Sequence, residues 1–308
     1  MNVTFRQLKV FESVARNLSY TKAAGELHLT QPAVSMQIKQ LEEHAGLPLL
    51  EQVGKKIFLT EAGQEMYHYA RSIARELGEV REIMERLKGL ESGRLEITVA
   101  TTANAFATRM LARFKQRHEG VTISLDVTNR ENLLRQLAEN EKDIAIMGRP
   151  PESDELVAES FADNPLVVVA APDHPLAGQK KKIPLNTLQN ETFVVRERGS
   201  GTRTAMERFF DEHNMVITSS LEMNENEAIK QAVQAGMGLG IVSLHTLELE
   251  LETRRLVILD VEDFPIMRHW YLVHLKDKRL PPMAQSFKEY VLKEGRDVIP
   301  GMLGTHLK

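Results

Sequence analysis

Residues 19–45 read SYTKAAGELHLTQPAVSMQIKQLEEHA. Ser19 or Thr21 can cap a short helix that holds Ala23, Ala24 and Leu27. The link His28-Leu29-Thr30 follows at once, with Thr30 as the next cap and Pro32 in the first turn, where a missing N–H costs little. Val34, Ile38 and Leu41 then share one helical face, and Gly46 ends the run. Two helices that cross sharply need small residues where they touch. Ala23 and Ala24, with Leu27, Leu29 and Val34, supply that contact, and the pattern is a helix-turn-helix.

The second helix of such a pair offers short polar side chains from its N-terminal end to the major groove. The candidates here are Thr30, Gln31, Pro32, Ser35, Met36, Lys39 and Gln40. Gln31 can pair bidentately with an adenine edge, Ser35 can bond a base or a phosphate, and Pro32 can press on a thymine methyl. Lys39 suits a phosphate. Residues 49–59 alternate around Val53-Gly54-Lys55-Lys56, a hairpin whose tip lysines, Lys55 and Lys56, are placed like a wing against the DNA backbone. The plainer alternative is a three-helix bundle with a solvated polar face; the hairpin and the long helix after it argue against that.

Upstream, Leu8, Phe11, Val14, Ala15 and Leu18 give a first helix over about 4–18. Downstream, Thr60-Glu61 opens a helix carrying Met66, Tyr69, Ile73, Leu77, Val80, Met84 and Leu87 at steps of three and four. Some 28 helical residues span ~42 Å, too long and one-sided for a small domain to bury, so a coiled-coil dimer seam is expected rather than packing on the helix's own body. Leu90-Glu91-Ser92-Gly93-Arg94 reads as a hinge. Beyond it, strands at 95–100, 121–127, 143–147, 166–171, 193–195, 240–243, 256–261 and 270–275 alternate with helices at 105–119, 131–140, 202–213, 225–235 and 282–293. That alternation predicts parallel α/β sheets.

The 308 residues are 42% hydrophobic and 27% charged, with no apolar run near the ~20 residues of a membrane helix. The N-terminus shows no basic and apolar leader, which predicts a cytoplasmic protein without a membrane partner. Cysteine is absent, which removes disulfides, thiolate metal sites and a cysteine nucleophile. The net charge is −4, but residues 1–60 carry +2 and the remainder −6. DNA binding must therefore rest on the placement of charges and on doubling by a dimer.

The run Ser19-Tyr20-Thr21-Lys22-Ala23-Ala24-Gly25-Glu26-Leu27-His28-Leu29-Thr30-Gln31-Pro32-Ala33-Val34-Ser35 resembles the signature of LysR-type transcriptional regulators, and Leu59-Thr60-Glu61-Ala62-Gly63 resembles their wing exit. The resemblance covers essentially the whole chain. It implies an N-terminal winged helix-turn-helix, mainly α, then a long linker helix, then a two-lobed α/β effector domain of periplasmic-binding-protein type. The expected limits are 1–59 for the DNA-binding domain, 60–89 for the linker, 90–94 for the hinge and 95–308 for the effector domain. Lobe I is expected over about 95–163 and 268–308, lobe II over about 164–267. The family also implies a homodimer or homotetramer on double-stranded operator DNA, with RNA polymerase a candidate further partner. Met36 stands where many members have Arg, and Leu50-Glu51-Gln52 where many have Phe then Arg.

In a two-lobed α/β domain, ligands lie beyond the carboxyl ends of strands and between the lobes. That rule selects Thr101, Thr102 and Asn104, then Asn129 and Arg130, then Gly148 and Arg149, and in the other lobe Ser200, Gly201, Thr202 and Arg203. Hydroxyls, arginines and two helix starts together favour an anionic effector, a sugar phosphate or organic acid. The blander readings are helix capping for the threonines, a turn for Gly199-Ser200-Gly201 and a surface position for Arg149. Residues 129–149 and 196–251 resemble the CbbR branch, whose members control carbon-dioxide fixation operons and sense metabolites such as ribulose bisphosphate, phosphoenolpyruvate, phosphoglycolate or NADPH. A regulator of another operon with another effector is the alternative. No catalytic motif appears among the scattered His and carboxylates, no metal site or cofactor is expected, and an enzyme is disfavoured. A sequence-blind architectural DNA protein would be strongly basic, and a periplasmic solute binder would lack the helix-turn-helix.

Overall fold

The computed structural model describes residues 3–54, 56–87, 92–179 and 181–299. Lys55, part of the expected hinge (residues 90 and 91) and the expected end of lobe I (residues 300–308) lie outside them. Contacts divide the chain into two units, Met1–Lys88 and Gly89–Lys308.

The first unit opens with α1 (Phe5–Asn17), capped by a reciprocal pair: the Gln7 N–H donates to the Thr4 hydroxyl, and the Thr4 N–H to Gln7 Oε1. Such a cap contributes about 1 kcal/mol. α2 (Tyr20–Glu26) starts under the Ser19 hydroxyl, and α3 (Gln31–Ala45) ends on Gly46 in the left-handed region. Thr30 occupies the cap position of α3, but its hydroxyl makes no cap hydrogen bond. Pro32 explains why: it removes one of the two N–H groups that a cap hydroxyl can reach. β1 (Leu50–Val53) and β2 (Lys56–Leu59) form the antiparallel hairpin. Val10, Phe11, Val14, Ala23, Val34, Ile38 and Leu41 make the core. α4 (Glu61–Leu87) seats its first turns on this core through Gly63, where a Cβ would stand 1.9 Å from the Leu49 carbonyl oxygen. Around and past Ala70 its apolar side chains leave the core: Tyr69 just before it and Ile73, Leu77, Val80 and Met84 beyond it are all exposed.

The second unit has two sheets. β3 (Ser92–Ala100), β4 (Gly120–Thr128), β5 (Ile144–Met147) and β6 (Leu156–Asp163) belong to the first lobe, with α5 (Asn104–Arg117) and α6 (Arg130–Ala138) between them. The second lobe holds β7 (Leu166–Ala170), β8 (Thr192–Arg196), α7 (Gly201–Glu212), β9 (Thr218–Met223), α8 (Asn226–Gln234), β10 (Leu239–Ser243), α9 (Glu248–Glu252) and β11 (Val257–Leu259). The chain then returns to the first lobe through β12 (His269–Leu275) and α10 (Pro282–Val298). Strand orders are β4-β3-β5-β12-β6 and β11-β7-β10-β8-β9.

The sheets are mixed, not parallel as the alternation predicts. β12 runs antiparallel to β5 and β6, and β7 antiparallel to β10 and β11. The reversal follows from connectivity: one strand of each sheet enters directly from the other lobe without a crossover helix. β6 and β9, absent from the sequence reading, are sheet edges with polar, partly exposed faces. The two crossings lie side by side, where the Asn164 N–H donates to the Arg268 carbonyl at 2.7 Å and Leu166 and Ile266 exchange both backbone bonds at 3.0 Å.

Candidate effector cleft and DNA-reading helix

In the first unit the outward face of α3 presents Gln31, Pro32, Ser35, Met36, Lys39 and Gln40, all exposed, with Thr30 exposed just before them. Val34, Ile38 and Leu41 turn inward, so one helix separates a packed face from a polar one. Lys39 has no acidic partner among the described residues, which leaves its charge free for a phosphate. Glu26 clasps α1 to α2. Its carboxylate accepts from Ser13 at 3.1 Å, Asn17 at 2.9 Å and Arg16. Desolvation pushes that carboxyl up, but the Asn17, Arg16 and Ser13 hydrogen bonds outweigh it and hold it below its usual range. In the wing, Lys56 is exposed. Gln52, where the resemblance expects Arg, donates to the Gly54 carbonyl at 2.9 Å and ties the hairpin turn instead.

In the second unit a narrow cleft of about 400 Å³, its mouth included, opens between the lobes. Thr101 and Thr102 line it from the turn after β3, Asn129 and Arg130 from the end of β4 and start of α6, and Gly148 and Arg149 from the end of β5. Ser200, Gly201 and Thr202 line it from the N-terminus of α7. Asn104 and Arg203 are not among its walls. The 3-10 turn Thr101–Ala103 carries Asn104 round to a neighbouring cavity. Arg203 turns away to Glu207 and Glu222 and donates to the Arg196 carbonyl at 2.9 Å.

Two more arginines line the site: Arg196, at the start of the loop 196–203 that strand-end reasoning picks out, and Arg268, which that reasoning does not reach. Arg196, 4% exposed, binds the Glu197 carboxylate through both Nε and Nη2 (2.7 and 2.9 Å) and reaches the Thr101 hydroxyl at 3.5 Å across the lobes. Its charge is compensated. Arg268, on the return crossing, is not: it donates to the Gly201 carbonyl at 3.0 Å, and no carboxylate pairs with it among the described residues. Desolvation, with Arg208 and Arg130 nearby, lowers its pKa to about 10. Arg130 makes no hydrogen bond or ion pair among the described residues, and desolvation lowers its pKa too. Gly148 makes room for this pairing of like charges, because a Cβ there would lie 2.0 Å from Arg268 Nη2.

The hydroxyls tell the same story. Thr102, Ser200 and Thr202 are buried to 8, 4 and 7% exposure, and none of their hydroxyls has a partner among the described residues. Ser200 caps α7 in backbone position but leaves the helix N–H groups free. Hydroxyl donors that line the cleft, free helix N–H groups and two uncompensated guanidiniums converge on one small volume, which is the chemistry of an anion site. The described residues hold no cluster of metal-ligating side chains, and none of their helices is long and apolar enough to cross a membrane.

Two family models match: the bacterial regulatory helix-turn-helix protein of the lysR family over residues 5–64, and the LysR substrate binding domain over residues 88–296. The chain is 58% identical over 294 residues to the RuBisCO operon transcriptional regulator of Allochromatium vinosum, covering 96% of this chain and 97% of that one. It is 45% identical over 290 residues to the transcriptional activator CmpR of Synechocystis, covering 94% and 95%. The solved regulatory domain of Synechocystis CcmR, in complex with 2-PG, is 44% identical with a TM-score of 0.63 and spans 68% of this chain and 99% of that one. Full-length CbnR complexed with its target DNA shares the fold at 20% identity and a TM-score of 0.71, over 94% of this chain and 99% of that one. This chain belongs to the LysR family of bacterial regulatory helix-turn-helix proteins and is a regulator of transcription.

Proposed function

We propose that this chain activates carbon-fixation genes in the cytoplasm, reading operator DNA with α3 and the wing and answering to a small phosphorylated carboxylate held between the lobes. The operon named for the Allochromatium relative and the 2-PG bound to the CcmR domain support this reading. The ligand class rests on one observation: unpaired Arg130 and Arg268 face the partnerless hydroxyls of Thr102, Ser200 and Thr202 at the start of α7. The site comprises Thr101, Thr102, Asn129, Arg130, Gly148, Arg149, Ser200, Gly201 and Thr202, with Arg268 added. Within the chain we assign 1–59 to DNA binding, 60–89 to dimerisation and 92–308 to effector binding; the expected hinge 90–94 shrinks to 90–91, because Ser92, Gly93 and Arg94 pair with Gly120, Val121 and Thr122 in the first lobe's sheet. Closure of the lobes on the ligand alters how paired copies space their reading helices on the operator.

Calorimetric titration tests the ligand class. Phosphoglycolate binds, and glycolate, which lacks the phosphoryl group, binds at least about tenfold more weakly, as expected when one or two charge-assisted hydrogen bonds are lost. Uptake of neutral or cationic compounds alone would overturn the reading. For DNA, Gln31→Ala lowers affinity for the specific site by about 1–3 kcal/mol and leaves binding to random duplex nearly unchanged. Equal losses on both would remove its base-reading role.

A further inference from the structure

Thr101 lines two cavities. The second, about 1060 Å³ with its mouth, also lies between the lobes, bounded by the start of α5, the start of α8, the turn Leu244–Thr246 and α9. Its charge is opposite to that of the effector cleft: Glu225, Glu227, Glu248 and Glu250 face a single Lys230. Most of these charges are engaged. Lys230, 6% exposed, meets Glu250 and Glu227 at 2.8 Å and the Thr246 carbonyl at 3.0 Å, and Glu248 pairs with Arg109 at 2.8 Å.

Besides Glu250 Oε2, a buried carboxylate oxygen with no hydrogen-bond partner, three groups are left over. Glu225 stands at the cap of α8, yet it makes no cap hydrogen bond and no ion pair among the described residues. Asn226 is 8% exposed, and its amide has no partner. His245, 5% exposed, accepts the Trp270 indole N–H on Nδ1 at 3.1 Å. The indole can only donate, so the ring carries its proton on Nε2, which has no partner. Burial keeps this imidazole neutral, with a pKa of about 4. The Asn226 amide and the His245 ring N–H belong to residues that are buried overall, yet both residues line the open cavity, where their N–H groups can donate to a bound acceptor.

We propose that this cavity is a second ligand site for a small zwitterion of the α-amino acid class, its ammonium on Glu225 and its carboxylate on the Asn226 amide and His245 Nε2–H. The net negative lining favours the ammonium, and the N–H groups that open α5 and α8 at the same cavity favour the carboxylate. Thr101 connects the two sites, since its hydroxyl is the lobe I acceptor of the Arg196 contact. An occupant of either cavity therefore bears on the same turn, and the coupling is reciprocal. The coupling rests on the effector reading above; the site itself does not.

The full-length protein is titrated with each of the L-amino acids, then with the N-acetyl and decarboxylated forms of any that bind. At least one amino acid binds. Masking its ammonium or removing its carboxylate weakens binding about tenfold or more, as do Asn226→Ala and the surface change Glu225→Gln. Both variants keep wild-type affinity for phosphoglycolate, which shows that they fold. Arg130→Gln loses phosphoglycolate and keeps the amino acid, so the two sites fail independently. The proposal is overturned if no amino acid binds the wild-type protein, if the masked forms bind equally well, or if neither variant changes the affinity.

Discussion

In the proposed effector cleft Arg130 and Arg268 are left uncompensated, and Gly148 is the residue that makes room for Arg268. An added methyl group would meet the tip of the Arg268 guanidinium, not backbone, so the side chain can swing out while the strand stays in place. Gly148→Ala is therefore expected to leave the thermal midpoint within about a degree or two of wild type, a change of under about 0.5 kcal/mol. The same substitution lowers phosphoglycolate affinity about tenfold or more, measured by calorimetry, through loss of one charge-assisted contact. An unchanged affinity would remove Arg268 from the site. Gly148 was legible in the sequence because it follows a buried strand, the place where α/β ligands gather. Arg268 was not. It lies on the return crossing, between Ile266 and the strand that follows, and nothing in a local pattern shows that a crossing between lobes passes the same cleft. Arg196 lies in the loop the same rule picks out, but only the structure shows that it is buried against Glu197.

Elements were legible where periodicity is strong and obscure where it is weak. The helix-turn-helix and α4 follow from apolar spacing alone, since Val34, Ile38 and Leu41 turn inward as their three- and four-residue steps require. The edges β6 and β9 lack a continuous apolar face because each pairs on one side only, so their sequences, LVAESFAD and TSSLEM, read as loops. The exposed stripe of α4 makes an element-scale prediction. Leu77 is 46% exposed and takes no part in the winged-helix core, so Leu77→Asp leaves that core intact. Placed in an apolar seam between two copies, the same carboxylate would be buried without a partner, and light scattering should show the variant shifted to monomer. A second prediction concerns the Trp270–His245 bond, which ties β12 of one lobe to the turn after β10 of the other. The folded protein lowers the His245 pKa from about 6.5 to about 4, so between those values the unfolded chain binds the extra proton. Stability from this group is complete above pH 6.5 and falls as pH drops toward 4, by up to about 1.4 kcal/mol per unit. His245→Asn can keep an acceptor for the indole without the titration. Its thermal midpoint should fall less than that of wild type between pH 7 and 5; equal slopes would assign the acid sensitivity elsewhere.

At the scale of the whole molecule, a ligand in one unit has to be felt by a reading helix in another. A net charge of −4 gives the chain little general attraction to DNA, so its choice of operator depends on a few placed side chains and on how paired copies space them. Spacing is a sensitive lever, since half-sites one helical turn apart admit both reading helices only when their separation matches the groove repeat. A ligand can shift that separation only by the difference in its affinity for two arrangements of the lobes, typically 1–3 kcal/mol. Footprinting with phosphoglycolate should therefore show a shorter or displaced protected region and a changed bend angle, with affinity for an isolated half-site unaltered. Leu77→Asp should abolish the ligand-dependent change, while Gly148→Ala should move it to about tenfold higher ligand concentration. If the footprint and bend are the same with and without saturating ligand, while calorimetry still records binding, the switch does not work through operator geometry and must act on a partner such as RNA polymerase.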